Sequence, residues 1–186
     1  PQPFRNNIGD AKVPVAQSAC VALGITLTQE LKGAIQAAYA NGTITDAEMD
    51  SVVNGFVNKV VLPTYKDLKE KNTALCAAVR DFYNNPSDAT FETACDAWLV
   101  ARTPWEQSEA FLFGPVDILG LDPNMDSWPL DQVAIVNILE SGNFDDLNWE
   151  DGDTEEEITA SQEVRGFHTL EFLLFKDGNP RTVAAQ

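Results

Sequence analysis

Apolar residues recur at helical spacing through Val52, Val53, Phe56, Val57, Val60 and Val61, a continuous stripe that predicts an amphipathic helix. Thr45-Asp46-Ala47-Glu48 stands just before it, with Thr45 as cap and Glu48 three residues on, the pattern of a capping box. Pro63 should kink or divide that helix, because proline lacks an N–H and its ring meets the preceding turn. The stripe resumes at Tyr65, Leu68, Leu75, Val79 and Phe82 and stops at Asn84-Asn85-Pro86. Ser87 then caps a second long helix that carries Phe91, Trp98, Leu99, Trp105 and Leu112 and ends near Gly114-Pro115. Two long antiparallel helices joined by a tight turn are expected.

The flanks are less regular. Residues 1–10 are polar and read as a loose N-terminus, Pro14 to Tyr39 is Ala-rich and mostly helix-favouring, and Asn41-Gly42 is a turn. Beyond the second long helix, Asp117 to Pro129 reads as a loop, broken by Gly120, Pro123, Asn124 and Pro129. A short helix follows from Leu130 to Leu139, then a solvated acidic stretch from Asp145 to Glu157. A last helix runs from about Thr159 to the breakers Lys176-Asp177-Gly178-Asn179-Pro180. No alternating strand pattern accumulates. The expected fold is all-α, an up-and-down, four-helix-bundle-like array with a long loop-rich connection before the last helix. Residues 1–47 read as a partly helical N-terminal extension and 48–186 as the bundle.

Composition narrows the functions. With 186 residues, 44% of them apolar, the chain can bury one domain core. Twelve Lys and Arg against 29 Asp and Glu leave a net charge of −17, a field that repels phosphates and anionic membranes and attracts cations or basic partners. Nucleic-acid binding is disfavoured because the basic residues are few and scattered. No apolar run approaches the roughly 18 residues of a membrane-spanning helix. The chain starts at Pro1 with no charged-then-apolar leader, as a mature or trimmed product would. Cys76 and Cys95 flank the Asn84–Ser87 turn at equal distance, so a disulfide between hairpin helices is feasible and would indicate an oxidising compartment. Two small buried core residues is the equal alternative. The segment before Cys20 lacks the apolar core of a signal sequence, so this cysteine is not read as a lipid attachment site.

The chain's only histidine, His168, lies among Phe167, Leu170, Phe172, Leu173, Leu174 and Phe175, a segment apolar around most of a helix and therefore expected to be buried. Glu171, three residues on, shares its face. A buried carboxylate needs a proton, a cation or several donors, and the negative charge of the chain favours a cation. Gly166 leaves room for another backbone or a ligand to approach. The plainer alternative is a His–Glu hydrogen bond that fixes packing. On the second long helix, Arg102, Glu106 and Glu109 share a face at i, i+4 and i+7. They form an exposed salt-bridge ladder or, where Trp98, Trp105, Phe111 and Phe113 bury this helix, they place Glu106 or Glu109 in the same interior as His168 and Glu171. One histidine with two or three carboxylates suits Fe or Zn. A single histidine excludes the two-His zinc-protease motif and the paired Glu-x-x-His di-iron bundle. Asp146 to Gly152 fits a calcium loop poorly, its glycine one place late, and no phosphate loop or nucleophile turn is present.

Gly166-Phe167-His168-Thr169-Leu170-Glu171 resembles the Gly-x-His-x-x-Glu signature of the imelysin-like proteins. Trp105 to Pro115 resembles that family's long second-helix block, and Ser127-Trp128-Pro129-Leu130-Asp131 its Trp-Pro-Leu element, all in family order. The likeness covers roughly Met49 to Arg181. It implies a bacterial cell-envelope protein, periplasmic or at the surface, linked to iron uptake, from a family once described as metallopeptidases. It further implies two helical bundles of which this chain holds the first, so that the chain is a fragment, a short variant, or one whose remainder a second half-chain or an envelope partner protein supplies. Carried over by residue, it places His168 and Glu171 at a metal site faced by Glu109 and Glu106, with Arg102 orienting a carboxylate and Trp105 and Gly166 in support. The expected function is binding of a metal ion or metal-bearing ligand. The alternatives are a metallopeptidase and a non-catalytic acidic helical interaction module.

Overall fold

The structure, a computed structural model, describes residues 29–148 and 150–183, so Cys20 and the expectations for residues 1–28 lie outside it. The chain is all-α, a bundle of packed helices. Its elements are α1 (Gln29–Ala40), α2 (Asp46–Phe56), α3 (Leu62–Asn84), α4 (Asp88–Ser108), α5 (Pro115–Ile118), α6 (Leu121–Asp126), α7 (Gln132–Ser141), α8 (Glu155–Gln162) and α9 (Phe167–Leu174). A two-residue ladder, β1 (Phe175–Lys176) with β2 (Asn179–Pro180), closes the chain. No helix among the described residues is long and apolar enough to cross a membrane. The chain divides into two compact units, one of residues up to Glu70 with Thr103–Phe111, the other of Lys71–Arg102 with Leu112 onward.

In the first unit, Thr45 accepts from the Glu48 backbone while Glu48 returns a carboxylate to the Thr45 N–H, so the capping box starts α2 as expected. Pro63 does not divide the helix. Val57–Val61 widens into a π turn, in which the Leu62 N–H reaches Val57, and this turn accommodates a ring that would otherwise press on the carbonyl four residues back. Met49, Phe56, Leu68, Trp105 and Phe111 are buried, and the Phe111 ring meets Phe56 and Tyr65 edge to face at 5.8 and 5.5 Å. Much of the valine stripe stays at the surface. Val52 is 50% exposed, since a stripe two residues wide per turn is broader than the buried face.

The second unit is built on the α3–α4 hairpin. Ser87 caps α4 by accepting from the Thr90 N–H at 3.2 Å, and Phe82 packs on Phe91 across the turn with ring centres 5.1 Å apart. Ala94 and Ala101, fully buried, let other segments come close to α4. Trp98 is the anchor, donating from Nε1 to the Phe167 carbonyl at 3.0 Å and packing against the Phe167 and Phe175 rings. A second apolar cluster joins Ile135 and Ile138 of α7 to Val164, with Leu147, Phe172 and Leu173 around it.

Four expectations need correction. Asp117 to Pro129 is not a plain loop, because α5 runs into it and α6 forms within it, each started at a glycine with positive φ, Gly114 and Gly120. The expected last helix is two, α8 and α9, separated at residues 163–166. Helix α8 begins inside the acidic stretch, where Thr154 and Glu157 make a second capping box and Glu155, Glu156 and Glu157 fill the first turn, favourably placed at the positive end of the helix dipole. Cys76 and Cys95 are both free thiols. Cys76 faces solvent from α3, whereas Cys95 is buried on α4 with its sulfur toward the Leu174 carbonyl, so equal distance from the turn did not put them on facing sides.

Candidate functional site

Gly166 builds the site. Its φ of +97° belongs to a region that glycine alone adopts readily, and a Cβ placed there would lie 2.4 Å from the Met125 carbonyl oxygen. The missing side chain thus lets the last turn of α6 rest against the first turn of α9. Arg165 ties the same junction, donating to the Leu147 carbonyl at 3.1 Å and to the Asn124 side chain. Another backbone, not a ligand, takes the space that Gly166 leaves.

This contact brings Asp126, the last residue of α6, beside His168, the second residue of α9. Asp126 Oδ1 lies 3.4 Å from His168 Nε2 and accepts from Arg102 Nη1 at 2.5 Å, with only 5% of the Asp126 side chain exposed. Its charge is felt nearby. Burial and, after it, the Asp126 carboxylate raise the Asp122 carboxyl above its ordinary range. On the other side of the imidazole, Nδ1 lies 3.3 Å from Glu171 Oε2. Trp128 covers the ring at a centroid distance of 4.9 Å.

Glu171 corrects the expectation of a buried carboxylate. Half of its side chain is exposed, because the apolar residues of α9 turn toward α4 and α7 while Glu171 faces the mouth of a cleft. The cleft, of about 390 Å³, is lined by Trp128, Leu130, His168, Glu171, Phe172, Phe175 and Asp177 among others. Asp177 and Gly178, both at positive φ, form its edge as the two central residues of the β1–β2 hairpin, the Asp-Gly pair such a turn favours. Glu106 and Glu109 are exposed in the first unit rather than turned into its interior, and Trp105 is buried there.

Among the described residues no group of three or more His, Cys, Asp or Glu side chains is arranged to hold a metal ion. One pair still fits two places of a coordination sphere. Bonds of about 2.0–2.1 Å at a tetrahedral angle put neighbouring ligand atoms about 3.3 Å apart, which is the separation of His168 Nδ1 from Glu171 Oε2, 3.3 Å. As a hydrogen bond that separation is long. Two protein donors are too few for a closed structural site, and they suit a metal that brings its other ligands with it. Asp126 was missed by sequence reasoning because it lay in a segment read as loop, with nothing in its spacing to link it to His168.

A family model described as Imelysin matches residues 61–185. Iron-regulated protein A from Synechococcus elongatus is 35% identical over 138 residues, covering 70% of this chain and 33% of that protein. Among solved structures, an imelysin peptidase from Bacteroides ovatus superimposes over 96% of this chain and 58% of its own, at 49% identity and a TM-score of 0.77. A protein assigned as an iron-regulated protein A precursor from Parabacteroides distasonis covers 68% of this chain and 34% of its own, at 50% identity and a TM-score of 0.62. The chain therefore spans about a third to three fifths of the length of these relatives.

Proposed function

We propose, from the premise that this chain belongs to the imelysin family, that it serves iron acquisition outside the cytoplasm by binding a metal that already carries other ligands. The observation that carries this reading is the His168–Glu171 pair, 3.3 Å apart at the mouth of a 390 Å³ cleft with aromatic walls. Imidazole and carboxylate would hold the metal, and Fe and Zn both accept that donor set. The cleft, of a size usual for small-molecule sites, would take the remainder of the complex against Trp128, Phe172 and Phe175. The relatives named as iron-regulated are in keeping with the same role.

Ferric nitrilotriacetate, a complex whose chelator leaves coordination positions open, is the direct probe. Wild-type protein should bind it by calorimetry, and His168→Ala and Glu171→Gln should each weaken binding at least tenfold with the circular dichroism spectrum retained. Ferric EDTA, whose chelator fills most of the sphere, should bind more weakly. Undiminished binding of ferric nitrilotriacetate by His168→Ala would remove the proposal. The same preparations answer for hydrolysis, where a peptidase would cleave an unfolded protein substrate in a chelator-sensitive way that depends on Glu171.

A further inference from the structure

We infer that the second unit carries another binding site, an apolar cavity on the side of α9 away from His168, which takes a small uncharged molecule with an apolar body and one hydrogen-bonding group. It is independent of the His168–Glu171 pair. Helix α9 is the wall between the two cavities: His168, Glu171 and Phe172 line the cleft described above, whereas Thr169, Leu170 and Leu173 line another of about 290 Å³. At about 100° per residue the two sets fall on nearly opposite sides of the helix.

Buried Ile135, Ile138 and Val164 form the floor of this second cavity, and Leu139 and Phe144, 51% and 54% exposed, stand at its opening. Large apolar side chains left in water around a concave apolar surface mark a place where an apolar body is taken up. An engineered apolar cavity of about 150 Å³ admits benzene, so roughly twice that volume accommodates a body of about ten heavy atoms. Thr169 sets what that body must carry. The residue is 8% exposed, and its Oγ1, closed off from solvent, has no hydrogen-bond partner among the described residues. A hydroxyl enclosed in this way has lost its hydration with nothing in return, and an oxygen on the ligand would restore the bond. An ion would gain less. It would shed its own hydration among apolar walls, and Arg165, the charged residue on the wall, already engages the Leu147 carbonyl and the Asn124 side chain.

Methyl spectra of protein labelled at Ile, Leu and Val read the cavity directly. Titration of the wild-type chain with 1-heptanol should give saturable shifts at Ile135, Ile138 and Leu173, and His168→Ala should bind heptanol as the wild type does. Heptanoate at neutral pH should bind at least about tenfold more weakly. In Thr169→Val, which keeps the shape of the side chain and removes its hydroxyl, the affinity for heptanol relative to toluene should fall about 3- to 10-fold, the worth of one hydrogen bond. Its melting temperature should hold or rise, because an unpaired hydroxyl has gone. Leu139→Trp, placed at the opening and outside the core, should block both ligands. No saturable shifts at these methyls in the wild-type protein, heptanoate binding as tightly as heptanol, or an unchanged heptanol-to-toluene ratio in Thr169→Val would each overturn the proposal, and the wild-type titration decides even where a variant fails to fold.

Discussion

Gly166 and Met125 are in such close backbone contact that the carbonyl oxygen of Met125 occupies the space of a Cβ, 2.4 Å from where one would stand. Gly166→Ala therefore meets both a forbidden backbone conformation and a clash with main chain, and should cost about 2–5 kcal/mol in urea unfolding. Gly142 is the control. Its φ is also positive, +67°, with nothing within 4 Å, and Gly142→Ala should cost only about 1–2 kcal/mol. Equal losses at the two positions would show that the Met125 contact is unimportant.

Trp128 separates binding from stability. It is 70% exposed yet its ring lies tilted against His168, so Trp128→Ala should change the melting temperature little. Losing one aromatic wall should weaken ferric nitrilotriacetate binding about 2- to 10-fold, the worth of one such contact. Calorimetry beside thermal unfolding of the same samples makes the comparison, and unchanged affinity would exclude Trp128 from the site.

The two thiols should react very differently. In a Cys20→Ser background, Ellman's reagent should label Cys76 rapidly in the native state and leave Cys95 untouched until denaturant is added. Burial, then the Asp96 and Glu92 carboxylates, raise the Cys95 thiol above its usual range, which lowers the thiolate fraction further. Non-reducing mass spectrometry showing Cys76 joined to Cys95 in protein purified from an oxidising compartment would contradict this arrangement.

The capping boxes predict an acid limb. Hydrogen bonds from the Thr45 backbone, then its hydroxyl, hold Glu48 below the ordinary carboxylate range, and Thr154 does the same for Glu157. A carboxylate with a lowered folded pKa adds stability that is present above its unfolded value of about 4.3 and is lost as pH falls through the lower folded value. Melting temperatures followed from about pH 6 down to about pH 3 should decline, and less steeply in Glu157→Gln, which starts lower at neutral pH and has no charge to lose. A parallel decline in both proteins would remove this capping box as a cause.

The sequence made the hairpin legible because helical periodicity, Thr45, Ser87 and Asn84-Asn85-Pro86 are all local signals, and they agreed. It made Gly166, His168 and Glu171 legible for the same reason, being close in the chain. Thr154 and Glu157 carried an equally local signal, hidden by reading the acidic residues around them as a solvated run. Asp126 was illegible in a different way. Its partners stand 24 residues before it, at Arg102, and three helices further on, at His168, so only the packing of α6 on α9 reveals it. The cysteines failed because equal distance from a turn fixes height along a hairpin and leaves the direction of each side chain open, and Glu106 and Glu109 are exposed because a segment with buried tryptophans still has a wet side.

The break between α8 and α9 resets the helical phase just ahead of the histidine, which stands one residue inside its own helix. An added or removed residue among the exposed positions 150–154, ahead of α8, would lengthen or shorten a surface excursion without rotating His168 away from Asp126. A change of spacing within residues 163–168, by contrast, would carry His168 away from the Gly166 junction that sets its place.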